Sequence, residues 1–235
     1  MIDYEKINMA RALYYGLFSS VFTFIEDEDD YKKILYTIEY LNKNPIDENS
    51  KLAFENIKEY LQEDGLKKLK EENNNLFFSP STTFIPVTAS YYEEDRDDGQ
   101  KRVLMASYVL KSKFRKDEST FKEPEDHISF IFVFLQKMVE QNINKNKVQL
   151  VEDTFENILN PIIDRFIENI YTHENSYFYK NIAIVLKVFM ELERVYLDIK
   201  KVETKKTRVQ QNIFHKKRKE FTKRAKRNFD EVTSL

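Results

Sequence analysis

Residues 122–141 read KEPEDHISFIFVFLQKMVEQ, and how this stretch is read decides the fold class. Over 128–135 every residue except Ser129 is apolar, and Met138 and Val139 prolong the run. A short apolar run suits a buried strand or a buried helix equally well. Length separates them, because strands rarely need more than about 8 residues. Pro124 has no backbone N–H and suits a first helical turn, where that donor would lack an acceptor. Glu123, Glu125 and Asp126 put acids around the same turn, at the positive end of a helix dipole. The stretch therefore predicts a helix over 124–141, apolar nearly all round and buried in the middle of a domain. An acidic, His-bearing lip at residues 123–127 stands at its mouth. Taken alone, the lip is either a helix start or half of a binding site.

Composition agrees with helices. A chain of 235 residues, 41% of them hydrophobic, can bury a core as one domain with an appendage. Three Gly and five Pro are too few for a hairpin-rich β fold. The absence of Cys excludes disulfides, a thiol nucleophile and Cys-based zinc or iron–sulfur sites. No run of about 18 uninterrupted apolar residues occurs, which argues against an integral membrane segment. The opening MIDYEKINMARALYY lacks the basic-then-apolar order of a secretory signal, so a cytoplasmic protein is expected. Charge is divided unevenly. From Lys200 onward there are 13 Lys and Arg against 4 Asp and Glu, a net of +9, which leaves residues 1–199 with 25 bases and 36 acids, a net of −11.

Along the chain, apolar residues at 3-4 spacing predict a first helix over 3–25, with Ala10, Leu13, Tyr14, Leu17, Phe18, Val21 and Ile25 facing inward. Gly16 within it points to close packing of another helix. A second helix is expected over 29–43, ended by Asn44-Pro45, and a third over 49–70, with Leu52, Phe54, Ile57, Tyr60 and Leu61 inward and Gly65 as a midway cap. Residues 72–99 read as a long loop carrying Leu76, Phe77, Phe78, Phe84, Ile85 and Tyr92. It is either pinned across the core by its aromatics or forms a peptide-binding lip. A helix follows over 102–114, with Val103, Leu104, Tyr108, Val109 and Phe114 on its apolar side. Segment 148–173 is expected to be helical with a break at Asn160-Pro161 and His173 near its end, and a last helix covers 176–199.

Several chemistries are missing. Gly16, Gly65 and Gly99 are isolated, so there is neither a phosphate-cradling loop nor a dinucleotide fingerprint. His127, His173 and His215 are far apart and none has a helical metal-pair partner, so no metal and no cofactor are expected. Glu123, Asp126 and His127 form the one compact polar cluster. Asp126 orienting His127 as a general base would make a helical hydrolase, but neighbouring residues on a helix point about 100° apart, so a catalytic role is disfavoured. An acidic lip beside apolar surface instead suits a ligand with arginines followed by an apolar stretch. Carboxylates hold guanidinium groups bidentately, and a groove takes the apolar segment.

Glu123-Pro124-Glu125-Asp126-His127 before an apolar helix resembles the E-P-x-D-H motif of the TorD/DmsD/NarJ family of redox enzyme maturation chaperones. A second stretch is similar to the family's Trp-Gly-Ser-x-Tyr-like segment and following acid. It comprises Pro86, then Ser90, Tyr92 and Glu94, with Thr88 and Ala89 at the Trp and Gly positions. The chain has no Trp, and Tyr91, Phe84 or Phe78 are the available substitutes. The Arg11-Ala12-Leu13-Tyr14 opening, and Leu159-Asn160-Pro161 with Ser176-Tyr177-Phe178-Tyr179 later on, extend the likeness over about residues 5–197.

The resemblance implies an all-α fold: a single chaperone domain over 1–199, followed by a basic arm over 200–235. It also implies a non-enzymatic chaperone that binds the twin-arginine signal peptide or immature body of a molybdenum- or tungsten-cofactor oxidoreductase before export. The expected contact residues are Glu123, Pro124, Asp126 and His127, with Ser90, Tyr91, Tyr92 and Phe84 opposite. Both a monomer and a domain-swapped dimer are compatible with a helical chain of long connections. The arm over 200–228 has three readings: it folds back on the acidic body, it contacts the client, or it binds a polyanion. The last would make the chain a nucleic-acid- or ribosome-associated protein.

Overall fold

A computed structural model describes residues 3–119 and 121–202. The basic arm expected over 200–235 lies outside the described residues from position 203 on. The described part is all-α: its extended pairing is limited to one isolated bridge, and no described helix is long and apolar enough to cross a membrane.

Helix starts follow their capping residues. α1 (Tyr4–Phe22) begins at Asp3, whose side chain accepts the Lys6 N–H. α2 (Glu28–Lys43) begins at Asp27, which accepts from Asp29 and Asp30, and acids fill its first turn. α3 (Glu48–Tyr60) opens with a reciprocal cap between Asp47 and Ser50. The expected helix over 49–70 is in fact two. α3 ends at Tyr60, and α4 (Gly65–Phe77) starts after Asp64, which takes a left-handed φ of 51°. Gly65 opens this helix rather than capping one. A Cβ there would lie 1.9 Å from the Tyr31 hydroxyl, so the glycine lets α2 approach.

The Asn-rich segment expected as loop is helical through Phe77 because its polar side chains find partners far away in sequence. The buried Glu72 carboxylate accepts the N–H groups of Tyr177, Phe178 and Tyr179 at 2.8, 3.0 and 2.8 Å. Those are the orphan donors at the start of α10 (Phe178–Leu197). Asn73 donates to the Tyr179 hydroxyl at 2.7 Å, and that hydroxyl donates to the Val21 carbonyl at 2.8 Å. Between α4 and α10 lie α5 (Ala89–Glu94), α6 (Gln100–Lys111), α7 (Ile128–Gln141), α8 (Gln149–Thr154) and α9 (Asn160–Thr172).

The break expected at Pro161 does not occur. A π-turn over Phe155–Leu159 joins α8 to α9 without interruption. Pro161 cannot donate to the carbonyl four residues back. That carbonyl belongs to Asn157, and the Lys101 ammonium takes it instead.

α7 packs along α1 in the centre. Ile131, Phe132 and Leu135 are fully buried, and Phe132 meets Tyr15, Phe18 and Phe22. Gly16 leaves room for the Gln136 side chain, which an added Cβ would meet at 3.0 Å, so the glycine does serve close helix packing. Ala10, Leu13, Leu52 and Val103, expected inside, face outward. The first and last described helices are joined by a buried ion pair: Arg11 grips Glu193 through Nε and Nη2, and the Tyr15 hydroxyl donates to the same carboxylate at 2.6 Å.

Glu72→Ala removes the acceptor for three N–H donors, two of them in buried hydrogen bonds. It is expected to lower unfolding free energy by about 3 kcal/mol, read as a reduced urea midpoint with unchanged slope. An equivalent loss in exposed Glu71→Ala would show that the cap is not responsible.

Candidate functional site

The acidic motif does not form the first turn of α7. That helix starts at Ile128, with His127 as its N-cap in extended conformation (φ −65°, ψ 138°). Residues 124–127 are a separate turn, closed by the His127 N–H on the Pro124 carbonyl at 3.0 Å. Pro124 therefore shapes the approach to the helix, and the three acids lie before it.

This turn is clasped to the second motif stretch. Thr88 and His127 form the isolated antiparallel bridge. The Ala89 N–H donates to the Asp126 carbonyl at 2.9 Å and the Ile128 N–H to the Val87 carbonyl at 2.8 Å. The Asp126 carboxylate accepts the Ser90 N–H at 2.8 Å and so caps α5, whose own N-cap residue, Thr88, makes no capping bond. Thr88 turns its hydroxyl to Asp97 instead, at 2.6 Å. Ser90 Oγ accepts the Arg102 N–H in the first turn of α6 at 3.3 Å. The Arg102 guanidinium then bridges Glu125, at 2.9 Å, and Asp98. Burial raises the Glu125 pKa, but the Arg102 hydrogen bond, a backbone hydrogen bond and the positive charges of Lys116 and Arg102 together outweigh it and hold the carboxyl below its usual range.

His127 is buried and serves the same architecture. Its Nδ1 accepts the Ser129 N–H at 3.2 Å and lies 2.7 Å from Ser129 Oγ. These bonds assign the proton of the neutral ring to Nε2. Burial pushes its pKa down to about 4, and the edge of Phe121 packs against it. The Asp126 carboxylate faces Ser90 rather than the imidazole, so the pair lacks the geometry of an oriented general base.

The expected site residues thus divide in two. Ser90, Asp126, His127 and Tyr92 are brought together but buried. Tyr92 donates its hydroxyl to the Pro86 carbonyl at 2.9 Å and stacks under the Arg165 guanidinium. Glu123 is exposed and has no ion pair with a described residue, while Pro124 and Tyr91 are half-buried. Phe84 is 50% exposed and meets Tyr91 edge-on at 6.4 Å. Two further exposed aromatics, Phe24 and Phe78, pair edge-on at 6.0 Å. Phe24 was not singled out by sequence, because its contact joins segments about fifty residues apart. His173 was likewise invisible as a fastener: its Nε2 lies 2.9 Å from the Thr83 carbonyl and ties the end of α9 to the 78–88 loop.

The lowered pKa of His127 has a definite sign. A group that is neutral in the folded state and has a folded pKa below its unfolded value near 6.5 contributes stability that is complete above about 6.5 and is lost as pH falls through 4. The expected loss between those pH values is about 3 kcal/mol. His127→Asn keeps a capping side chain without the titration. Urea unfolding from pH 7 to 4 should show a shallower decline in this variant; an identical slope in both proteins would refute the assignment.

Residues 43–171 match the family described as nitrate reductase delta subunit. In three dimensions the chain is similar to the crystal structure of a candidate redox enzyme maturation protein from Archaeoglobus fulgidus, with a TM-score of 0.54 and 23% identity, over 78% of this chain and 93% of that one. The structural likeness establishes a shared helical fold. The family match spans more than half of the chain and includes both clasped stretches and the helices they position, so this chain belongs to the nitrate reductase delta subunit family, the NarJ/TorD-type redox enzyme maturation chaperones.

Proposed function

We propose that the chain is a client-specific chaperone for the precursor of a molybdenum- or tungsten-cofactor oxidoreductase, and that it recognises the client's twin-arginine signal peptide in the cytoplasm before export. The observation that carries this reading is the clasp between 87–90 and 126–128, which fixes the acidic turn beside the aromatic loop. Glu123, with no ion pair of its own among the described residues, offers a carboxylate to a guanidinium. Phe84, Tyr91 and Pro124 offer apolar surface to the segment that follows the arginines. Ser90, Tyr92, Asp126 and His127 act here as positioning residues that hold this surface in shape. The surroundings favour cations: residues 93–98, EEDRDD, add five acids against one base. Binding would hold the client back without any bond-making step, so no catalytic residue is assigned.

Calorimetric titration of the purified protein with the client's signal peptide, and with a peptide carrying Gln in place of both arginines, tests this reading. An exposed Arg–carboxylate contact contributes on the order of 1 kcal/mol, so Glu123→Gln should weaken binding about 5-fold and flatten the difference between the two peptides. Phe84→Ala should weaken both peptides alike. Equal affinity for arginine and glutamine peptides in the unaltered protein would overturn the proposal.

A further inference from the structure

α2 turns one face to solvent, and the residues on that face are ordered symmetrically about Tyr36. Three positions to either side lie Lys33 and Glu39. Four positions to either side lie Lys32 and Tyr40. Seven positions away lie Asp29 and Lys43. Offsets of three, four and seven share one helical face, and all seven residues are exposed. Tyr36 is 71% exposed and Tyr40 48%. Beside them Met9 and Leu13 of α1, 53% and 37% exposed, help to line an open cavity of about 420 Å³. Single exposed apolar residues are ordinary, but four large ones side by side mark an interaction surface.

The pattern selects the partner. When two such helices pack antiparallel about a two-fold axis at Tyr36, each residue meets the one at the opposite offset. Glu39 then faces the partner's Lys33, Lys43 faces the partner's Asp29, and Tyr40 faces the partner's Lys32 as a cation–π pair. The two Tyr36 rings meet on the axis. Every contact off the axis occurs twice, as an isologous interface requires, and no like charges are opposed. Parallel packing in register would set Lys33 against the partner's Lys33 and Glu39 against the partner's Glu39. Lys33 and Lys32 now pair within the helix with Asp30 at 3.0 Å and Glu28 at 3.9 Å. Exposed pairs of this kind contribute about 0–1 kcal/mol and exchange readily. The cavity beside the axis gives the partner's aromatic side chains room to bury.

We propose that this face binds a second copy of the chain, forming a non-swapped dimer through antiparallel α2 helices centred on Tyr36. This does not depend on how the client is recognised.

Sedimentation of the full chain over increasing concentration should show the mass rising from 28.3 kDa towards twice that value. Tyr36→Glu places two carboxylates on the axis and should weaken the dimer at least about tenfold, with helicity unchanged because the residue is exposed. Lys33→Glu and Glu39→Lys should each weaken it, and the double substitution should restore it. The chain has no Cys, so Tyr36→Cys should form a disulfide with its own copy, while Asp29→Cys should not. Three results would overturn the proposal. The first is a single-chain mass up to about 0.5 mM, well above the range of a functional interaction. The second is a dimer indifferent to the charge substitutions, which would indicate a swap. The third is loss of client-peptide binding in Tyr36→Glu with no change of mass, which would make the client the occupant of this face.

Discussion

The constraint on which the site depends is the Asp126 carboxylate. It is fully buried and, among the described residues, has no ion-pair partner; the Ser90 N–H at the start of α5 is its hydrogen-bond donor. Its other oxygen has no partner among the described residues. A buried carboxylate with so little compensation is tolerated only where the surrounding backbone is held firmly. Here the backbone bonds of residues 87, 89, 126 and 128 supply that hold. From Ser90 the connection passes to the Arg102 N–H, and from the Arg102 guanidinium to Glu125, next to Asp126 in the chain. The circuit closes on itself. It fixes α5, the start of α6 and the approach to α7 as one rigid corner.

Much of the fold was legible in the sequence, where local chemistry sufficed. α2 lies within a residue of its expected limits because Asp27 caps it, acids fill its first turn and Asn44-Pro45 stops it. Of the residues its spacing points inward, Ile34, Ile38 and Leu41 are buried and Leu35 is half-buried against the core. The errors fall where a distant partner decides. Residues 72–75 look like loop, yet Glu72 and Asn73 are inside a helix because the start of α10 supplies donors for the one and Tyr179 an acceptor for the other. Pro161 looks like a break, yet Lys101, sixty positions earlier, takes up the carbonyl it leaves free. On α1 the apolar spacing admits two faces. Arg11 lies inward and Leu13 outward because Glu193 is there to receive a charge, which no periodicity records.

The site was legible in composition but not in depth. Residues 123–127 and 88–94 stood out as related stretches, and the clasp does join them. A linear motif carries no mark of which side chains turn inward. Asp126 and Tyr92 look like polar contact residues and are buried, the one by a helix N-terminus and the other by a carbonyl that accepts its hydroxyl. His127 looks like a proton carrier, but burial keeps its ring neutral and its Nδ1 is occupied by Ser129.

The division between buried and exposed residues bears on how recognition can vary. Substituting a positioning residue such as Asp126 disturbs the corner as a whole, so a binding defect there reports on shape rather than on contact. Residues at the exposed rim carry no such burden. Glu123, Phe84, Phe24 and Phe78 can change without undoing the hydrogen-bonded circuit. The chain lacks the tryptophan of the motif it resembles, with Thr88 at that position and its hydroxyl engaged by Asp97. Exposed aromatic surface is instead supplied by two edge-to-face pairs, Phe84 with Tyr91 and Phe24 with Phe78. Aromatic area of that kind is interchangeable between side chains, whereas a buried carboxylate at a helix start is not. The part of the motif on which the resemblance rests most firmly is therefore the part that builds the corner, and under the proposed function discrimination among clients would fall to the rim.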